Sequence, residues 1–206
     1  MKGGLMTLRA LRTPLTLAVL SLLREQPRHP YEMQALVRER QVGEVVKLRG
    51  GSLYDAIGRL VKAGLIEAVD TGRSGARPER TVYAITEDGI ATVEALTRDY
   101  LRAPAEEYPV FVTALAHIFN LGVTEAVELL RERRQRIRDK HDEVATQLAA
   151  LPEDIPRVVL LEVEYAQALR KAELAWLDEV VQCIDKGDLT WLEIPSNRTP
   201  RRSTRS

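Results

Sequence analysis

The segment from residue 71 to residue 80 is rich in arginine and offers almost no apolar surface for packing. It contains two glycines and a proline, and its largest aliphatic side chain is that of Ala76. Its cationic residues are Arg73, Arg77 and Arg80. Because guanidinium groups donate paired hydrogen bonds to phosphate oxygens, we interpret the segment as a phosphate-binding loop. The alternative is a solvated hairpin tip whose arginines bind nothing.

A second group of polar side chains precedes this loop, on one side of a predicted helix. Apolar residues and a glycine recur there at the spacing of a single helix face, which we expect to be buried. They are Leu53, Ile57, Leu60, Val61 and Gly64. The other side has short polar, cationic and aromatic groups of the kind that contact phosphates and base edges in DNA. The predicted contacts are Lys47, Ser52, Tyr54, Arg59 and Lys62.

Local signals set the limits of this helix and of the strands that follow it. Ser52 and Asp55 stand in the order of an N-terminal cap, in which the hydroxyl accepts from an early backbone N–H. Gly64 suits the left-handed conformation just past the last turn. The runs 65–69 and 81–85 are rich in β-branched and aromatic residues, which predicts two strands and therefore a hairpin.

Further helices are predicted on both sides of this region. Thr13 with Pro14, and His29 with Pro30, are start signals for two helices that precede it. Thr86 and the two acidic residues after it cap a fourth helix. Its expected inward positions are Ile90, Val93, Ala95, Leu96 and Tyr100. The resulting order is helix, helix, turn, helix and a two-stranded wing.

The C-terminal half predicts long helices. Prolines place a boundary between residues 102 and 109, and a short apolar helix then runs from Phe111 to near Gly122. Thr124 is the expected cap of a longer helix, whose apolar residues recur at alternating intervals of three and four, as in a coiled-coil seam. Arg134 and His141 interrupt that seam.

The last predicted helix runs from about Ile155 to Ile184. One face comprises Val158, Leu161, Tyr165, Leu169, Ala172, Trp176, Val180 and Cys183. Two helices of roughly thirty residues, each about 45 Å long, have more surface than they can bury against each other. Their spare faces require a partner, and the simplest one is a second copy of the chain, giving a homodimer.

Composition and charge narrow the function classes. With 45% hydrophobic and 29% charged residues in 206, the chain is expected to fold. The net charge is zero overall, but it is +4 over residues 1–102 and −8 over residues 103–194, and the disordered tail predicted for 195–206 has four arginines and no acidic residue. This asymmetry favours an anionic partner for the first half.

Several classes are not favoured by the sequence. A single cysteine, Cys183, and no segment resembling a signal peptide or membrane span indicate a cytoplasmic protein. The three histidines lack metal-ligand spacing, so neither a metal site nor a cofactor is expected. No nucleophile elbow, phosphate loop or dinucleotide glycine pattern is present, which argues against an enzyme.

The order and spacing of these motifs resemble the winged helix of PadR-type bacterial transcriptional regulators. The resemblance rests on the segments Gly51-Ser52-Leu53-Tyr54, Arg59-Leu60, Gly64-Leu65-Ile66 and Tyr83-x-Ile85-Thr86-x-x-Gly89. Asp55 stands where the family pattern has proline, and Glu79 lies among the basic residues of the wing. The resemblance covers about residues 13–186, because residues 106–185 are similar to the helical dimerisation region of the longer members.

The resemblance implies a mainly α fold: an N-terminal winged helix-turn-helix with a two-stranded wing, plus a C-terminal helical, coiled-coil-like dimerisation domain. The expected domains are 1–102, 103–194 and the tail 195–206. The implied function is a repressor that binds an inverted-repeat operator as a homodimer, and the alternative is a winged-helix module that docks to another protein.

The resemblance also implies that the dimer region senses a small aromatic or apolar effector. The candidate residues for such a pocket are Phe111, Phe119, Tyr165 and Trp176. Aromatic residues at helical spacing also serve as ordinary core, and that alternative stays open from sequence.

Overall fold

The structure, a computed structural model, describes residues 11–39, 52–72 and 80–192. The chain divides into two compact units after Glu106. The described residues are mainly helical with one two-stranded antiparallel sheet, as predicted. None of the described helices is long and apolar enough to cross a membrane.

The N-terminal unit contains four helices and the sheet. They are α1 (Pro14–Glu25), α2 (Pro30–Glu39), α3 (Ser52–Lys62), β1 (Ile66–Gly72), β2 (Arg80–Ile85) and α4 (Glu87–Arg102). Helix α1 starts as predicted, with Pro14 in its first turn and the Thr13 hydroxyl accepting a hydrogen bond of 3.1 Å from the Thr16 N–H. Pro30 likewise begins α2.

One apolar core holds this unit together. Its most deeply buried members come from α1, α2, α3 and β1. They include Val19, Leu20, Leu23, Met33, Val37, Leu60 and Ile66. Full burial of each such side chain contributes roughly 1.5–3 kcal/mol. The apolar face of α3 is therefore fixed inward, and its polar face outward.

The wing is longer than the sequence predicted. Strand pairing runs from Ile66 opposite Ile85 to Gly72 opposite Arg80, with an irregularity between Ala68 and Asp70. Backbone pairing thus extends into the segment interpreted as an unpaired tip, because ladder hydrogen bonds do not require large side chains. Arg28 anchors β2 at the other end, where its N–H and C=O each form a 3.0 Å bond with Tyr83.

A single threonine joins the end of α3 to the start of α4. The Thr86 hydroxyl accepts a bond of 3.1 Å from the Gly89 N–H, which confirms the predicted cap, and it donates one of 2.7 Å to the Gly64 carbonyl. Val93 and Leu96 are buried as expected, but Ala95 and Tyr100 are exposed. Ala95 and Leu96 are neighbours about 100° apart around a helix, so this mixed set does not share one face.

The C-terminal unit contains α5 (Val110–Ala116), a 3₁₀ turn (Ile118–Asn120), α6 (Val123–Ala149), a second 3₁₀ turn (Arg157–Leu160) and α7 (Leu161–Lys186). The long helices start differently from prediction. Helix α6 has Gly122 rather than Thr124 at its N-terminal cap, with no side-chain cap bond. Helix α7 begins at Leu161 rather than near Ile155, because the 3₁₀ turn after Pro156 occupies the intervening residues.

Helices α6 and α7 pack as an antiparallel pair. Val127 and Leu130 form a buried cluster with Leu177 and Val181. The arginine that interrupts the seam, Arg134, donates a bond of 2.8 Å to Asp178 on α7. Arg131 similarly bonds both carboxylate oxygens of Asp185, at 2.6 and 2.7 Å. The contact between the two helices therefore combines an apolar cluster with ion pairs that flank it.

A stripe of large apolar side chains on α7 lies outside this packing. We name the "α7 stripe" the residues Leu161, Tyr165, Leu169 and Trp176. They follow one another at intervals of four and seven, so they share one helix face. Tyr165 is 67% exposed and Leu169 53% exposed. The sequence placed these four on one face, as observed, but two other members of the predicted face do not follow it. Val158 lies in the 3₁₀ turn before α7, and Val180 packs against the cluster of Leu177 and Val181 that covers α6.

Candidate nucleic-acid interface

Helix α3 presents one buried and one exposed side. Leu53, Ala56, Ile57 and Leu60 are buried in the core of the unit. Tyr54, Asp55, Gly58, Arg59 and Lys62 are exposed on the opposite side. Tyr54 is 56% exposed, which is unusual for an aromatic side chain that packing alone would place. The exposed side combines a phenol, a guanidinium and an ammonium group over about two helical turns.

Both predicted limits of α3 are confirmed. The helix begins at Ser52, with Asp55 in its first turn beside the positive helix end. Gly64 has φ of 72°, the left-handed conformation that follows a helix. The Leu65 N–H then bonds the Leu60 carbonyl at 3.0 Å, which satisfies an end-of-helix acceptor. The exposed side chains therefore stand on a rigid, well-terminated element.

The structure places only some of the predicted contacts. Ser52, Tyr54, Arg59 and Lys62 all lie on α3, and Ser52 is half-buried. Arg80 begins β2, but its side chain is outside the described residues. Lys47, Arg73 and Arg77 also lie outside them. The described part of the site is thus the helix and the base of the wing.

A cleft beside α3 went unnoticed in the sequence. Its volume is about 250 Å³, and it lies between the start of α2, the exposed side of α3 and β2. Its polar and small lining residues are His29, Tyr54, Gly58, Thr81 and Tyr83. The available signal was Gly58, a glycine within an otherwise helical pattern, since an isolated helix glycine commonly has a packing or functional reason.

The four effector candidates are not gathered into one group. Phe111 and Trp176 form an edge-to-face pair with ring centroids 6.1 Å apart. The Arg133 guanidinium lies 3.5 Å from the centroid of the Phe111 ring. Phe119 instead meets the ring of His117, with centroids 6.2 Å apart. Tyr165 precedes Trp176 by eleven residues, a distance of about 16 Å along α7.

This architecture defines a class: three helices followed by a two-stranded wing, with an exposed cationic helix, form a winged-helix fold. Residues 19–95 match the model of the Transcriptional regulator PadR-like family. Over this segment, the chain is similar to the PadR-like family of transcriptional regulators.

Solved structures extend the likeness beyond that segment. Bacillus subtilis PadR in complex with operator DNA is 20% identical, with 82% of this chain and 98% of that chain covered at a TM-score of 0.66. The same protein in complex with p-coumaric acid is 19% identical, with 84% and 99% covered at 0.68. A PadR-like transcriptional regulator from Bacillus cereus is 16% identical, with 81% and 92% covered at 0.54. At these identities the likeness shows the fold. None of the curated proteins matches the chain's sequence.

Proposed function

We propose that the protein is a sequence-specific DNA-binding regulator, a cytoplasmic repressor without catalytic activity. The observation that carries the proposal is the exposed side of α3, where Tyr54, Arg59 and Lys62 stand opposite the buried residues Leu53, Ala56, Ile57 and Leu60. Such a helix enters the major groove, and the arginines of the wing bind the flanking phosphates. Bacillus subtilis PadR, which has this fold, is solved on operator DNA.

The proposed assembly is a homodimer. The α7 stripe exposes four large apolar side chains in a row, and contiguous apolar surface of this kind marks an interface. An isologous contact through this surface pairs two reading helices. Their spacing then matches two half-sites about 34 Å apart, so we expect an inverted-repeat operator.

Selection of bound fragments from a random duplex pool, followed by titration of the winning sequence, tests the DNA-binding role. We expect a palindromic consensus and an affinity that falls steeply with salt. Arg59→Ala should weaken binding by about 1–3 kcal/mol and reduce the salt slope by roughly 0.9. Arg98→Ala is the matched control, because Arg98 is exposed on α4 and pairs with Glu94.

Two results would count against DNA recognition. One is a pool that yields no enriched sequence, which would favour the alternative function of docking to another protein. The other is an affinity indifferent to both salt and the charge of Arg59.

We further propose that a small aromatic compound releases the DNA. The support is the Phe111–Trp176 pair, with Arg133 stacked on Phe111, and the binding of p-coumaric acid by Bacillus subtilis PadR. Tryptophan fluorescence of a Trp191→Phe variant, which keeps Trp176 as its sole indole, should change on titration with aromatic acids as DNA dissociates. Unchanged fluorescence and DNA binding across the panel would refute an aromatic effector.

A further inference from the structure

The cleft beside α3 has a floor of unusual composition. We name the "notch" the part of the cleft formed by His29, Tyr54, Gly58 and Thr81. Gly58 lies within α3, where glycine destabilises a helix relative to alanine. The chain therefore tolerates a local loss of stability at this position, and a compensating reason is expected.

The structure excludes the usual internal reasons for this glycine. The backbone of Gly58 is not in the left-handed region, which among the described glycines is occupied by Gly64 and Gly187. A Cβ atom added at Gly58 would meet nothing within 4 Å, whereas one at Gly89 would overlap the Leu65 carbonyl oxygen. The fold itself has room for a side chain at Gly58. The remaining reason is close approach of a partner to the helix backbone.

The walls of the notch offer hydrogen-bond donors. The His29 Nδ1 accepts a bond of 3.1 Å from the Tyr31 N–H, so the ring proton of neutral His29 resides on Nε2. Within the described residues, the hydroxyls of Tyr54 and Thr81 form no hydrogen bond with the protein, and no carboxylate lines the cleft. Threonine and tyrosine hydroxyls are common contacts of the DNA backbone.

We propose that the notch seats one phosphodiester of the DNA backbone, with the deoxyribose over Gly58 and the phosphate oxygens accepting bonds from His29, Tyr54 and Thr81. The proposal rests on the DNA-binding function proposed above. The notch lies between α3 and the base of the wing, the two elements proposed to contact DNA. Gly58 thus sets how closely that strand approaches.

The first test compares bulk at Gly58 with equal bulk elsewhere. Gly58→Ala should raise the thermal midpoint, because no neighbour is displaced. Gly58→Leu should stay folded and weaken binding by about tenfold, on operator and unrelated duplex alike, since backbone contacts have no sequence preference. Ala91→Leu, at an exposed position of α4, should bind as the wild type does.

The second test locates the phosphate. Each phosphate of the selected operator is replaced in turn by a neutral methylphosphonate, and affinity is measured for the wild type and for Gly58→Leu. We expect that replacement at one position in each half-site weakens binding by the wild type. The same replacement should not weaken binding by Gly58→Leu, because the leucine already prevents that phosphate from entering the notch.

Three outcomes would contradict the proposal that the notch binds a phosphodiester. They are wild-type affinity of Gly58→Leu, weakening confined to the operator, and an unchanged methylphosphonate pattern in the variant. The first leaves DNA binding itself intact, which separates this failure from that of the proposed function. A wild-type protein that binds no duplex would overturn both.

Discussion

The N-terminal unit closes its apolar core within itself, whereas the C-terminal unit leaves a row of apolar side chains outside. Among the described residues, fifteen buried side chains form the first core and four form the cluster between α6 and α7. The second unit has ion pairs along the seam beside its small core, and it exposes the α7 stripe. The difference shows that the first unit buries its apolar residues within itself, and it supports the proposal that a partner covers the exposed apolar face of the second.

The largest effect should come from the closed core. Leu60 on α3 is fully buried, so Leu60→Ala should lower the free energy of unfolding by about 2–5 kcal/mol. Chemical denaturation followed by circular dichroism measures it. A loss no larger than that of an exposed leucine, such as Leu129→Ala, would mean that the core is not closed around α3.

A charge placed in the α7 stripe of the second unit should weaken the proposed dimer. Leu169→Glu places a charge in the middle of the α7 stripe and should weaken the dimer by about 2 kcal/mol or more, roughly thirtyfold in dissociation constant. Sedimentation equilibrium measures the change. Gln182→Glu is the control, because it adds the same charge at an exposed position of the same helix. If the two variants have the same mass in solution, the α7 stripe does not form the interface.

Alanine substitutions at two glycines of the N-terminal unit should change its stability in opposite directions. A Cβ at Gly89 would overlap the Leu65 carbonyl oxygen and lie 2.6 Å from Ile85 Cγ1. Gly89→Ala should therefore cost about 1–3 kcal/mol, although alanine is the better helix former. In thermal denaturation, Gly89→Ala should lower the midpoint and Gly58→Ala should raise it. If both substitutions shift the midpoint in the same direction, the local packing described for one of the two sites is wrong.

The smallest effect is expected at the surface ion pairs of the second unit. Arg131 and Asp185 are both about half exposed, and exposed pairs contribute about 0–1 kcal/mol. Arg131→Ala should change the free energy of unfolding by no more than that, and less in high salt. A loss above about 2 kcal/mol in urea denaturation would show that ion pairs, rather than a partner, stabilise this unit.

The elements of the first unit were predictable because their signals are local. The start of α3 at Ser52, its end at Gly64 and the Thr86 cap each depend on residues within a few positions along the chain. The exposed side of α3 followed from periodicity, except that Val61, which was expected to be buried, is 42% exposed. The notch did not, because His29 and Thr81 lie more than twenty residues from Tyr54 and Gly58 along the chain and come together with them only in the folded unit.

Prediction was weaker where long-range packing decides. Periodicity grouped the α7 stripe on one face, but it does not show which neighbour covers that face. The structure covers the adjacent face, through Leu177 and Val181, with α6. The start of α7 also shifted, since the turn after Pro156 depends on how the chain reverses between two long helices.

The shared hydroxyl of Thr86 has a mechanical consequence. Because it bonds both the Gly64 carbonyl and the Gly89 N–H, it fastens the end of α3 to the start of the sixteen-residue α4. From this joint α4 extends about 24 Å, and the pairing of Asp99 with Arg12 holds its far part against the segment before α1. If α3 binds DNA as proposed, a shift of α4 would be transmitted through Thr86 to α3, and Thr86→Val should weaken that coupling.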